Sequence, residues 1–182
     1  MKKRYLNRIL GIFLLLAVSS SCTSNLDFNQ ANTLVAKPIV VANFASVEVQ
    51  ASQFVINGTE QPFLGDVQNF DVFRDAFFKD NLIRADFYFE IDNTINRSYN
   101  LDLMLLDANN VPLYNIRIIV PANTVAGSPI TKTVIFKNAD LDLLKKTVRI
   151  AFTISKNSGS TPPINSGSIK LRSSATAYLV IQ

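Results

Sequence analysis

The chain has no histidine and no tryptophan, one cysteine and only six glycines in 182 residues. Each shortage removes a class of chemistry. Without histidine there is no Ser-His-Asp triad, no imidazole base working near neutral pH, and none of the commoner zinc sites. A lone cysteine, Cys22, closes no disulfide within the chain, so the fold must rest on its core. Six glycines supply no glycine-rich loop of the phosphate-binding or dinucleotide kind. Carboxylates remain, with Asp86, Glu90 and Asp92 on one stretch, but alternating acids are what a wet strand face ordinarily carries. No Asp-x-Asp-x-Asp-Gly run marks a calcium loop. We therefore expect no catalytic residue, no metal and no cofactor.

What is present begins with an address. Lys2, Lys3, Arg4 and Arg8 precede an uncharged apolar run from Ile9 to Val18, followed by Ser19, Ser20 and Ser21. This reads as a signal peptide over residues 1–21, since an apolar run of about ten residues is half of what a bilayer-crossing helix needs. Small residues leading into a cysteine resemble a bacterial lipobox, which makes Cys22 the expected site of lipid attachment. Residues 22–33 are polar and patternless, and read as a tether. If flexible, its roughly eleven residues reach about 18 Å root-mean-square. A single domain is expected over residues 34–182, and 48% hydrophobic residues give it a core to bury.

The excess of basic residues belongs to the leader. Four of the 18 Lys and Arg are removed with it, leaving 14 against 14 acids. A near-neutral domain has no electrostatic case for nucleic acid. Charge is uneven along the chain, however, with twelve of the acids before Ala108 and nine of the remaining bases after Asp107. Cross-strand pairing between the two halves is the expected reason.

The hydrophobic period settles the fold class. In the run ADFYFEIDN, Ala85, Phe87, Phe89 and Ile91 alternate with Asp86, Tyr88, Glu90 and Asp92. The same alternation groups Leu101, Leu103 and Leu105; Tyr114, Ile116, Ile118 and Val120; and Val148, Ile150, Phe152 and Ile154. Further strands are read at Ile130 to Lys137, Ser168 to Arg172 and Ala175 to Ile181, with two more between Leu34 and Ile56. Turn signals stand between them at Asn57-Gly58, Asn109-Asn110, Pro121 to Pro129 and the long loop Lys156 to Gly167. The expectation is an all-β fold, an antiparallel immunoglobulin-like sandwich of eight or nine strands.

One helical insertion is expected over residues 69–81, where Phe70, Phe73 and Phe77 fall at helical spacing behind Asp66 or Asn69 as caps. A second helical turn, Asn138 to Lys146, has acids at its start and lysines at its end. Met104, Leu106, Ile119, Val134 and Phe136 read as alternating to the solvent side, and the Phe70, Phe73 and Phe77 stripe is expected to cover them.

The serine-flanked cysteine, the Asp27-Phe28-Asn29-Gln30 stretch and the Phe-rich segment feeding FYFEIDNTI resemble small envelope lipoproteins of Bacteroidota. The resemblance implies residence at the outer membrane through an N-terminal lipid anchor, on the periplasmic side or the cell surface. Two functions are compatible with it. The first is a non-catalytic structural or adapter module docking onto envelope proteins. The alternative is a ligand-binding accessory protein for glycan or peptide, with Tyr88 and Tyr99 as the expected contacts.

Overall fold

The computed structural model describes residues 35–70, 72–122, 128–157 and 166–182. Its strands are β1 (Ile39–Gln50), β2 (Val55–Ile56), β3 (Thr59–Glu60), β4 (Phe63–Asn69), β5 (Leu82–Asn93), β6 (Tyr99–Leu106), β7 (Pro112–Val120), β8 (Ile130–Phe136), β9 (Arg149–Lys156) and β10 (Ser168–Leu179). They form one four-stranded sheet in the order β1-β10-β5-β8 and a second in the order β4-β9-β6-β7, with β2 and β3 as a separate hairpin. All recorded pairings are antiparallel.

The period-two reading holds where it was strongest. Phe87, Phe89 and Ile91 on β5, Leu101, Leu103 and Leu105 on β6, and Ile116, Ile118 and Val120 on β7 are all buried between the two sheets. The strands expected at Ser168 to Arg172 and Ala175 to Ile181 are one strand, β10, which pairs with β1 on one side and β5 on the other. At Asn57-Gly58 both residues take positive φ, 52° and 75°, and so turn β2 into β3.

The immunoglobulin-like connectivity is not the one adopted. Counting only the eight long strands, the orders are first-eighth-third-sixth and second-seventh-fourth-fifth. Only β6 and β7 join as a hairpin within a sheet; each other link between long strands crosses to the opposite sheet. That is a jelly-roll-like winding, in contrast to the within-sheet neighbours of an immunoglobulin domain. Alternation says which face of a strand is wet but not which sheet the strand joins, so the two topologies share one sequence pattern.

The helical insertion is also shorter than its aromatic spacing suggests. Phe70 is still extended, because its N–H donates to the Val148 carbonyl at 2.7 Å and prolongs the β4 and β9 pairing. A 3-10 turn, Val72–Arg74, follows, and α1 spans only Ala76–Asn81. Asp75 starts it by accepting from the Phe77 N–H at 2.9 Å. Phe78, not Phe77, then turns toward Phe73, with ring centroids 5.6 Å apart, and Phe77 stays 45% exposed. The second helix, α2 (Ala139–Lys146), has its acids and lysines at the expected ends.

Nor does the phenylalanine stripe cover an outer face. Phe70 and Phe73 pack on Phe87 at 6.3 and 6.2 Å, on the inner side of β5. Val134 and Phe136 lie opposite Phe87 and Ala85 in register, so they belong to the core side as well. Leu106 is buried, whereas Ile119 is left exposed. The reading failed because an edge strand such as β8 takes its parity from β5, a partner more than forty residues earlier in the chain.

The sandwich closes along one side and opens along the other. Between the edge strands β7 and β8, Tyr114 packs on Phe136 at 5.0 Å and the Lys132 ammonium donates to the Arg117 carbonyl at 2.6 Å. Between the edge strands β1 and β4 the two sheets part.

Candidate functional site: an apolar cleft between two strand edges

The chain leaves β1 through a 3-10 turn, Ala51–Phe54, and passes through the β2 and β3 hairpin before entering β4. This excursion walls off one end of the gap between β1 and β4, and Phe70 fills the other. What lies between is a cleft of about 860 Å³. Phe44, Val47 and Val49 line it from β1, Leu64, Asp66 and Gln68 from β4, and Ile150, Phe152 and Ile154 from β9 beneath. Gln53, Val55 and Ile56 supply the end wall. The lining is mostly hydrocarbon and carries few polar groups, the usual make-up of a recognition site.

The end wall is held firmly. Phe54 is buried against Tyr99, their ring centroids 4.9 Å apart. The Ala51 N–H donates to Gly167 and the Gln61 N–H to Phe54, at 2.9 and 2.7 Å. Glu60 of β3 forms an ion pair with the buried Arg97 side chain. Arg97 is presented by a loop that Asn93 organises, its amide donating to the carbonyls of Arg97 and Pro121 while its oxygen accepts from the Ile95 N–H.

Tyr99 is therefore a core residue. It is 0% exposed, and the expectation that it contacts a ligand is corrected: alternation from Leu101, Leu103 and Leu105 places it on the same inner face. Burial pushes its phenol above the ordinary value, against the opposing influence of the Arg97 charge. Tyr88 does face outward on β5, but it does not line the cleft. Its hydroxyl donates to Glu90 at 3.3 Å, and local desolvation followed by the Glu90 charge raises its pKa.

The acids around Tyr88 belong to a ladder of pairs. Arg172 on β10 reaches Glu90 at 2.5 Å and Asp92 at 2.7 Å, Lys170 lies 3.4 Å from Glu48, and Asp86 accepts from Arg84 and from the Tyr178 hydroxyl. Across the other sheet Arg117 pairs with Asp102 at 2.8 Å. The pairs of Arg172, Lys170 and Arg117 join an acid of the first half to a base of the second, as the uneven charge distribution implied. Among the described residues no group of three or more acids or cysteines is placed to hold a metal ion, and no helix is long and apolar enough to cross a membrane. Cys22, the leader over residues 1–21, the tether over 22–33 and most of the loop from Lys156 to Gly167 lie outside the described residues.

Sequence reasoning missed the cleft. Its one available signal was β4 itself, a run of FLGDVQN with no lysine, arginine or proline to protect an exposed edge.

No family model matches the chain, and no curated protein sequence does. Among solved structures it is similar to the infectious bursal virus T=1 particle, at 7% identity over 78% of this chain and 31% of that one, with a TM-score of 0.45. A protein of Parabacteroides distasonis described as secreted is 17% identical over 63% of this chain and 38% of its own, with a TM-score of 0.41. An exo-beta-agarase is 12% identical over 72% of this chain and 22% of its own, also at 0.41. The chain spans well under half the length of each, and the likeness is one of β-sandwich architecture.

Proposed function

We propose that this chain is a non-catalytic adapter of the cell envelope, anchored by lipid at Cys22, whose sandwich takes up an extended peptide segment of a partner protein in the cleft between β1 and β4. One observation carries the reading: two edge strands flank an apolar cleft of about 860 Å³, so a strand laid there finds hydrogen-bonding backbone beside it and pockets for alternate side chains beneath it. Exposed Val47, Val55 and Ile56 give it an apolar margin. The outer face of β5, with its acids already paired to Arg84 and Arg172, offers a glycan or peptide much less.

Site-specific photo-cross-linking in native membranes tests this. A photoreactive residue at Val47, which lines the cleft from β1 and is exposed, is expected to capture one partner protein, and the same residue at the exposed Ile119 of β7 is expected not to. Equal capture from both positions, or none from Val47 in a correctly localised protein, would reject the cleft as the docking surface. Loss of membrane partitioning in Cys22→Ser tests the anchor separately.

A further inference from the structure

If an added strand occupies the cleft, the two edges are not equivalent, and the difference specifies the ligand. β1 is interrupted by a bulge between Asn43 and Ala45, which bends an edge and disturbs its spacing. β4 is regular, paired without a shift from Phe63 opposite Ser155 to Asn69 opposite Arg149. Its parity is set by the bonds at its two ends. The Pro62 carbonyl accepts from Lys156 and the Phe70 N–H donates to Val148, so the even-numbered positions bond to β9. Phe63, Gly65, Val67 and Asn69 therefore turn their backbone groups outward, to the free edge.

One of those outward groups is already in use. The Val67 N–H donates to Oδ1 of the neighbouring Asp66 at 2.8 Å, while the Gln68 amide donates to the other carboxylate oxygen. Asp66 is also the one charged side chain among the described residues that line the cleft. Resting on the docking function proposed above, we infer that the partner strand adds to β4 and that Asp66 selects a lysine or arginine in it. An incoming carbonyl takes the Val67 N–H, and the displaced carboxylate stays exposed at the mouth of an apolar cleft, with Gln68 as its remaining hydrogen-bond donor on β4. A cation on the added strand restores its partner. The occupant is thus an extended peptide with apolar residues at alternate positions and one basic residue in step with Asp66.

Selection of a random dodecapeptide display library on the full chain in detergent tests the inference. Wild-type protein is expected to enrich alternating apolar sequences with a lysine or arginine at one fixed place, and Asp66→Lys to enrich aspartate or glutamate there instead. A synthetic copy of an enriched peptide is expected to bind Asp66→Asn about three- to tenfold more weakly than wild type, the effect of one partly exposed charge-assisted bond. Alternating apolar peptides with the same residue at that place on wild type and Asp66→Lys would overturn the role of Asp66 and leave strand addition standing. Failure to enrich any alternating sequence, on protein whose thermal unfolding is normal, would overturn both.

Discussion

Replacing Phe54 by alanine tests how the end wall of the cleft is held. Phe54 is 1% exposed and stacks obliquely on Tyr99 at 4.9 Å, so truncation loses the transfer energy of a full aromatic ring, leaves a cavity beside a rigid partner, and removes an aromatic pair. Core Phe→Ala changes cost about 3 to 5 kcal/mol in total, of which the ring pair is about 0.5 to 1.5. The upper half of that range is expected, since Tyr99 is fixed in β6 and cannot collapse into the space. Urea unfolding measures the loss as a lowered midpoint with unchanged slope. The effect is also expected to be local: the Ala51 and Gln61 amides, bonded to Gly167 and Phe54, should exchange hydrogen faster by a larger factor than amides of the central strand β5. A cost below about 1 kcal/mol, or faster exchange spread evenly over both sheets, would show that the hairpin is held some other way.

Three further outcomes follow from particular residues. Phe73→Ala is expected to cost about 3 kcal/mol and Phe77→Ala under 0.5, because the first ring packs on Phe87 and the second lies largely in water; equal losses in urea melts would restore the single continuous helix. Gly167→Ala is expected to cost about 2 to 3 kcal/mol, since Gly167 holds φ +103° and a Cβ would stand 2.7 Å from the Thr94 carbonyl oxygen; a neutral effect on the melting temperature would contradict that geometry. Glu90 is held below the ordinary carboxylate range, first by the hydrogen bond from Arg172, so its contribution is present at neutral pH and fades as pH falls through that lowered value. Arg172→Met should therefore lower the melting temperature at neutral pH, with a deficit that shrinks as the pH falls through that lowered value, and a deficit that stays constant into strong acid would exclude Glu90 as the cause.

Much of the sandwich was legible because its central strands carry their own pattern. β5, β6 and β7 declare their buried faces by alternation alone, and Asn57-Gly58 and the charged ends of α2 mark a turn and a helix locally. The edges are different. β1 pairs with β10 across the whole domain, Ile39 opposite Tyr178, and its valines look like core material although several stand in solvent. Phe70, Phe73 and Phe77 satisfied a helical spacing, but Phe70 was claimed by a bond to Val148, almost eighty residues away. Tyr99 could have been placed by extending the parity of Leu101 inward by one step. Asp66 carried no local mark, because its meaning depends on β4 standing at a free edge opposite β1.

Strand addition at β4 is tested most directly by amide hydrogen exchange on the full chain with and without a bound, alternately apolar peptide. The outward-facing amides of Gly65, Val67 and Asn69 should slow on binding while the amides already paired to β9 change little. Slowing confined to β1 or to the outer face of β5, or no slowing along β4 at saturating peptide, would contradict the account.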